Sequence, residues 1–257
     1  MEINNLKTQF GNQAQIYAKY RKPYPSELYD LLFSLLPESK KIILDIACGP
    51  GNSTQPLLRE NTEVFGCDID PMMINEAKKQ ATDKNLAISF SVAEAEHLPY
   101  EDNYFDAVTV GTAFHWFVNK TALAEIKRVL KPNGLFFAFW TLTTKDVRRE
   151  DELLSAVFRS YNWPRVPQEL RDLDFVSAFL KKSGLRNVSV SRIAISHQAT
   201  IEDRVGLEKT NAGYNLLSEK DKTKFLSDLT IALKIALGDE PYFTVEEELQ
   251  VCYGFKS

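Results

Sequence analysis

A stretch at residues 41–47 (KIILDIA) is apolar except for Lys41 and Asp45, and it runs straight into Gly49-Pro50-Gly51. A strand covered on both faces reads as such a near-continuous apolar run, and strands of that kind belong to parallel sheets flanked by helices. A glycine turn directly after it marks the passage into a crossover helix, so this junction points to a βαβ arrangement. The flanking sequence agrees. Pro25-Ser26-Glu27 opens a helix with Leu28, Leu31, Leu32 and Leu35 on one face, and Pro37 ends it. After the glycine turn, the pattern predicts a helix over 53–60, a strand over 63–67, and a helix from the Asp70 cap and Pro71 to about Thr82. Further strands are expected at 87–92, 105–112 and 135–140, with an amphipathic helix at 121–130 between the last two.

Beyond Thr141 the periodicity loosens. Residues 141–171 hold five arginines (Arg148, Arg149, Arg159, Arg165, Arg171) with Phe158, Tyr161 and Trp163, and read as short helices forming a cap. A helix at 172–182, a strand at 188–196, a polar helical stretch at 202–211 and a longer helix from Ser218 follow. In the last segment Phe243, Val245, Leu249, Val251 and Tyr253 alternate with Thr244, Glu246, Glu248 and Gln250. That period of two predicts a final strand that is antiparallel or near an edge. The expected fold is therefore α/β and Rossmann-like: a seven-stranded, mostly parallel sheet with helices on both faces and a small helical cap, all in one domain.

Charge narrows the function. The 257 residues carry 31 basic against 35 acidic side chains, a net charge of −4, without the basic stripe that phosphate neutralisation requires. No nucleic-acid partner is expected, and the longest apolar run, 135–140, is too short to cross a bilayer. Three cysteines, Cys48, Cys67 and Cys252, are odd in number and lack metal-ligand spacing. With no leader pattern at the start, a cytoplasmic protein with reduced thiols and no metal is expected.

The site expected from these residues is a nucleotide pocket. Gly49 and Gly51 lie between strand and helix at the carboxyl edge of the sheet, and Asp68 follows Gly49 by 19 positions at the end of the second strand. An acid there can accept hydrogen bonds from both ribose hydroxyls. A tight turn with a solvated Asp is the plainer reading. The dinucleotide fingerprint G-x-G-x-x-G fails, because Thr54 stands at the third glycine, and no phosphate loop of the G-x-x-x-x-G-K type is present. Asp45 would repel a pyrophosphate but suits a cation, so adenosine joined to an amino acid fits better than a dinucleotide.

At these positions the chain resembles the class I S-adenosylmethionine-dependent methyltransferases, in particular the broad type-11 group and its trans-aconitate-methyltransferase-like members. The family loop, acid-x-Gly-x-Gly-x-Gly, is matched by Asp45, Gly49 and Gly51, with Ala47 at the first glycine. The resemblance extends over about 42–140, through Glu94-Ala95 in SVAEAEHLPY, Tyr104-Phe105-Asp106 and the Lys131-Pro132-Asn133-Gly134 turn. It implies that Asp45 helps hold the loop and the methionine ammonium, that Asp68 and the adjoining Ile69 meet the ribose, and that Glu94 and the Ala95 amide read adenine. Ala47 and Thr112 would complete the cofactor wall. Tyr20 and Arg21, in an aromatic leading segment with Phe10, Tyr17 and Pro23-Tyr24-Pro25, would close over it, Arg21 toward the methionine carboxylate; simple packing is the alternative for that segment. His115 and Trp116 after the fourth strand and Trp140 at the end of the fifth would line a substrate pocket, with His115 a candidate base. Asp70 is read as a helix cap.

On this reading residues 1–38 form an N-terminal helical lid, 39–140 the cofactor-binding core, 141–171 the cap insertion and 172–257 the rest of the sheet. The expected activity is methyl transfer from S-adenosylmethionine, giving S-adenosylhomocysteine, to a small-molecule oxygen, carboxyl or carbon acceptor, by a monomer or homodimer. A non-catalytic S-adenosylmethionine-binding protein and a nucleotide-dependent oxidoreductase are the competing expectations.

Overall fold

The computed structural model describes residues 13–145, 152–161 and 172–257. Expectations for Phe10, Arg148, Arg149, Trp163, Arg165 and Arg171 lie outside the described residues. Seven strands form one sheet in the order β3-β2-β1-β4-β5-β7-β6. The strands β1 (Lys41–Ile46), β2 (Thr62–Asp68), β3 (Ile88–Val92), β4 (Phe105–Gly111) and β5 (Leu130–Lys145) are mutually parallel, while β7 (Phe243–Phe255) runs antiparallel between β5 and β6 (Arg186–Ala199). The chain steps outward from β1 to β2 and β3, then returns to the other side of β1 with β4. The β1–β4 boundary is thus the point where connections leave the sheet in opposite directions, and a crevice opens there at the carboxyl ends.

Helices cover both faces. Helix α4 (Lys120–Val129) places Ala122, Leu123, Ile126 and Val129 on one face of the sheet, together with Leu173, Val176 and Leu180 of α6 (Leu173–Lys182). On the other face, α2 (Ser26–Ser34) buries Leu28, Tyr29 and Leu32 against Ile43, Phe137 and Val251. So α2 is part of the core, which removes it from the lid expected over 1–38; of that segment's described residues, α1 (Ala14–Tyr20) and the turn that follows lie before it. Asp70 caps α3 (Pro71–Asp83) by accepting a hydrogen bond from the Met72 amide at 2.9 Å, as the Asp-Pro signature predicts.

Two other boundaries differ from expectation. The helix expected over 53–60 is a single 3-10 turn, Gln55–Leu57: Ser53 and Thr54 before it are buried with their hydroxyls on Asp45, and Pro56 within it has no amide to donate. β5 runs past Trp140 to Lys145, since β7 offers it pairing partners as far as Glu246. Within the stretch expected as a cap, α5 (Glu152–Ser160) buries Leu154 in a satellite cluster with Phe225, Leu229 and Leu233 of α9 (Glu219–Leu237). α7 (Ile201–Glu208) and α8 (Ala212–Asn215) lie between β6 and α9. No helix among the described residues is long and apolar enough to cross a membrane.

Candidate functional site

A cleft of about 1090 Å³ lies over the carboxyl ends of β1, β2, β4 and β5 and reaches under α1 and α7. Its floor begins at the turn after β1. Ala47 takes φ +55° and Gly49 φ +54°, so the chain reverses tightly and brings Gly49 to the cleft wall. A Cβ built on Gly49 would have no atom within 4 Å and would stand in the cleft itself. Gly51, by contrast, sits behind the wall, where a Cβ would touch the Phe90 ring at 3.4 Å.

Asp45 does not line the cleft. Its carboxylate is fully buried and accepts hydrogen bonds from Ser53 Oγ and Thr54 Oγ1 at 2.7 Å each and from Thr109 Oγ1 at 2.9 Å. Burial pushes this carboxyl up, and the three hydroxyls pull against it. The expectation of an ammonium contact through Asp45 is therefore corrected: its oxygens are occupied in bracing the glycine turn from behind, and any effect on a ligand passes through that turn. Asp68 does line the cleft, and it too holds the loop. One oxygen accepts from the Gly49 amide and the other from the Asp70 amide, both at 2.9 Å. Burial raises its carboxyl to about 6, against the pull of those two amides. Beside it, Ile69 and the buried Asp70 also line the cleft, and the second Asp70 oxygen, Oδ2, has no hydrogen-bond partner among the described residues.

Glu94 and Ala95 form the wall beyond β3. Their segment is clamped from α4, where Arg128 donates to the carbonyls of Leu98 (2.9 Å) and Tyr100 (2.8 Å) and Glu125 accepts from the Leu98 amide at 3.0 Å. Sequence reasoning missed Arg128, since an Arg in the last turn of an amphipathic helix has many ordinary uses. Across the cleft, His115 in a 3-10 turn (Phe114–Trp116) is buried, with its ring centroid 4.9 Å from that of Trp116. Trp140 is buried beside Phe114, and its indole N–H has no hydrogen-bond partner among the described residues. His115, Trp116 and Trp140 all line the same cleft as Gly49 and Asp68, so the expected substrate wall and the expected nucleotide wall are continuous.

The roof is the segment after α1. Tyr20 packs its ring on Gly206 of α7, where a Cβ would lie 2.3 Å from the ring. Arg21 donates from Nε to Thr210 Oγ1 at 2.9 Å and from Nη2 to Asn211 Oδ1 at 3.0 Å, and its carbonyl accepts from Asn52 Nδ2 at 2.8 Å. Both residues line the cleft, but two arms of the guanidinium are committed to the α7–α8 turn. The expected pairing of Arg21 with a ligand carboxylate is corrected in that respect: its main office is to dock the roof. Thr112, at φ +52°, shares a hydrogen bond of 2.7 Å with the Tyr24 hydroxyl. The part played by α7 was missed in the sequence, where residues 202–211 read only as a polar helix. Among the described residues no group of His, Cys, Asp and Glu has the arrangement of a metal site, and all three cysteines are buried thiols.

Comparison with known proteins shows what this chain is similar to. Residues 44–138 match the family described as methyltransferase domain. An uncharacterized methyltransferase of Mycobacterium tuberculosis is 32% identical over 144 residues, and the alignment covers 56% of this chain and 56% of that one. The chain thus spans little more than half the length of such curated relatives. A protein of Anaeromyxobacter dehalogenans provisionally called a type II methyltransferase superposes with a TM-score of 0.69 at 22% identity, over 92% of this chain and 98% of that one. A phosphoethanolamine N-methyltransferase of Haemonchus contortus, solved with phosphomonomethylethanolamine and S-adenosylhomocysteine, gives 0.60 at 17% identity, over 100% of this chain and 60% of that one. At these identities the structural likeness is one of fold.

Proposed function

We propose, from the premise that this chain carries a methyltransferase domain at residues 44–138, that it transfers a methyl group from S-adenosylmethionine to a small organic acceptor. One observation carries the reading: a single cleft joins the Gly49–Asp68 wall to the His115, Trp116 and Trp140 wall. The residues fit the donor. Open space in front of Gly49 leaves room for a ligand against backbone, and Asp70, next to Asp68, has a buried oxygen without a hydrogen-bond partner among the described residues. On this reading Asp68 and Asp70 accept the ribose hydroxyls, Ile69 and the Glu94–Ala95 segment flank the adenine, and the turn at 47–49 meets the amino-acid end.

The bound donor supplies a sulfonium-activated methyl group, so the protein's task is alignment and exclusion of water. Trp116 and Trp140 give an apolar wall with one unpaired N–H donor, which suits an acceptor carrying a carbonyl or carboxylate oxygen. On this reading His115, on the cleft wall beside Trp116, would serve as the base for a hydroxyl or carbon acceptor. We place the reaction in the cytoplasm, with neither nucleic acid nor membrane as partner.

Calorimetric titration with S-adenosylhomocysteine and with NAD tests the donor. Binding of the first and not the second is expected, and the reverse overturns the proposal. Trp116→Ala and Trp140→Ala should then lower methyl transfer to an acceptor found by panel screening at least tenfold, with donor affinity within a few fold. Donor binding without turnover on any acceptor class would favour a binding protein on the same fold.

A further inference from the structure

We infer that Thr112 is a positioning residue for the proposed transfer, its hydroxyl latching Tyr24, and with it residues 21–24, across the donor end of the cleft. The inference rests on the function proposed above and starts from backbone strain. Among the described residues, seven non-glycine positions have positive φ: Asn61, Asn85, Asn103, Asn133 and Asn187, together with Ala47 and Thr112. Asparagine adopts the left-handed conformation readily, and none of those five lines the cleft. The two that are not asparagine both line it. Thr112 is the harder case, because a β-branched side chain is among the least tolerant of positive φ. Strain of this kind persists only where the surroundings impose it, and it gathers at working sites.

The contacts of Thr112 account for its conformation. Its amide donates to the Phe139 carbonyl at 2.7 Å, which ties the residue just past β4 to the neighbouring strand β5. Its hydroxyl then meets the Tyr24 hydroxyl at 2.7 Å, while the Tyr24 ring stands edge-on to Phe139 with centroids 4.7 Å apart. Three residues earlier, the Arg21 carbonyl is held by Asn52 in the loop after β1. The roof segment is therefore tied at one end to the β1 loop and at the other to the β4 turn. Those are the two strand ends that border the crevice where the sheet topology reverses. A glycine or asparagine at position 112 would satisfy the backbone with less strain, but glycine would lack the hydroxyl and asparagine would present a larger amide in its place.

The test is titration of the full chain with S-adenosylhomocysteine, with thermal melts of the ligand-free proteins alongside. Thr112→Val and Tyr24→Phe should each weaken binding about five- to tenfold, the effect of one hydrogen bond in a well-ordered site. The double variant should be no weaker than the worse single variant, because either change already breaks the latch. Thr112→Ser, which keeps the hydroxyl, should stay within about twofold of wild type. Unchanged affinity in Thr112→Val and Tyr24→Phe, whatever happens to their melting temperatures, overturns the latch and leaves the pair a staple of the fold. Additive losses in the double variant also overturn it. Failure of the wild-type chain to bind S-adenosylhomocysteine overturns the proposed function, and the latch with it.

Discussion

Asp68 braces the loop at an energetic cost, and the ribose contact proposed for it would ask the same carboxylate to stay charged. Its carboxyl titrates near 6 in the fold against an ordinary 3.8, because burial costs the charged form more than the Gly49 and Asp70 amides return. Between those two values the folded chain keeps a proton that the unfolded chain has released. Stability of the ligand-free protein should therefore fall as pH rises across that interval, with a slope of at most about 1.4 kcal/mol per pH unit, and the whole cost is present above about 6. Urea unfolding from pH 4 to 7 should show a steeper fall in wild type than in Asp68→Asn, where the buried Asp45 carboxyl still contributes in the same direction. Affinity for S-adenosylhomocysteine should move the other way, rising through pH 6 as the acceptor charge forms, and staying flat in the variant. A wild-type affinity independent of pH over that range would show that Asp68 does not meet the ligand as an anion. Asp45 presents a contrast: it was legible as an essential acid from its place before the glycines, yet its fully buried oxygens serve Ser53, Thr54 and Thr109.

Among the helices, α1 and α7 form the pair whose fit the local sequence least discloses. Gly206 sits inside α7, where alanine would favour the helix by about 1 kcal/mol. Its reason is the Tyr20 ring, which would collide with any Cβ at that position. Gly206→Ala should thus leave the helix intact but push the roof off the cleft. The expected signature is faster hydrogen exchange or proteolysis within 14–24 and weaker S-adenosylhomocysteine binding, without loss of global cooperativity. Unaltered exchange in that segment would mean that Tyr20 relocates freely and does not hold the roof. The ties that dock α1 all reach far along the chain: Lys19 and Tyr20 to Glu202, Arg21 to Thr210 and Asn211, and Lys22 to the Gln198 carbonyl. The exposed pairs among them add little singly, so the buried Tyr20–Gly206 contact should dominate.

At the scale of the molecule, the sheet, the cleft and the roof share buried contacts and should unfold as one cooperative unit, so a ligand held in the cleft should stabilise all of it. At a concentration about 100-fold above its dissociation constant, S-adenosylhomocysteine should contribute about 2.7 kcal/mol. For a chain of this size that corresponds to a melting shift of about 5–10 °C, with none from NAD at the same concentration. A shift confined to part of a biphasic melt would show that the cleft belongs to a smaller folding unit than the sheet.

What could be read before the structure was known was whatever near neighbours in the chain decide. Apolar runs set β1 to β5, Asp70-Pro71 set the start of α3, alternation at 243–253 pointed to a β7 either antiparallel or near an edge, of which the first is found, and the loop after β1 marked the sheet end where the cleft opens. These follow from side-chain periodicity and turn chemistry, which act over a few residues. The same short range explains the misses. A 3-10 turn replaced the helix expected after Gly51, and β5 outran its predicted end because β7, more than 100 positions later, was there to pair with it. The roles of Arg21, Tyr24, Thr112 and Gly206 depend on partners up to 190 positions away and on where α7 comes to rest beside α1. No periodicity encodes such a meeting, because it arises only when separate elements pack and each buried polar group must find its partner in space.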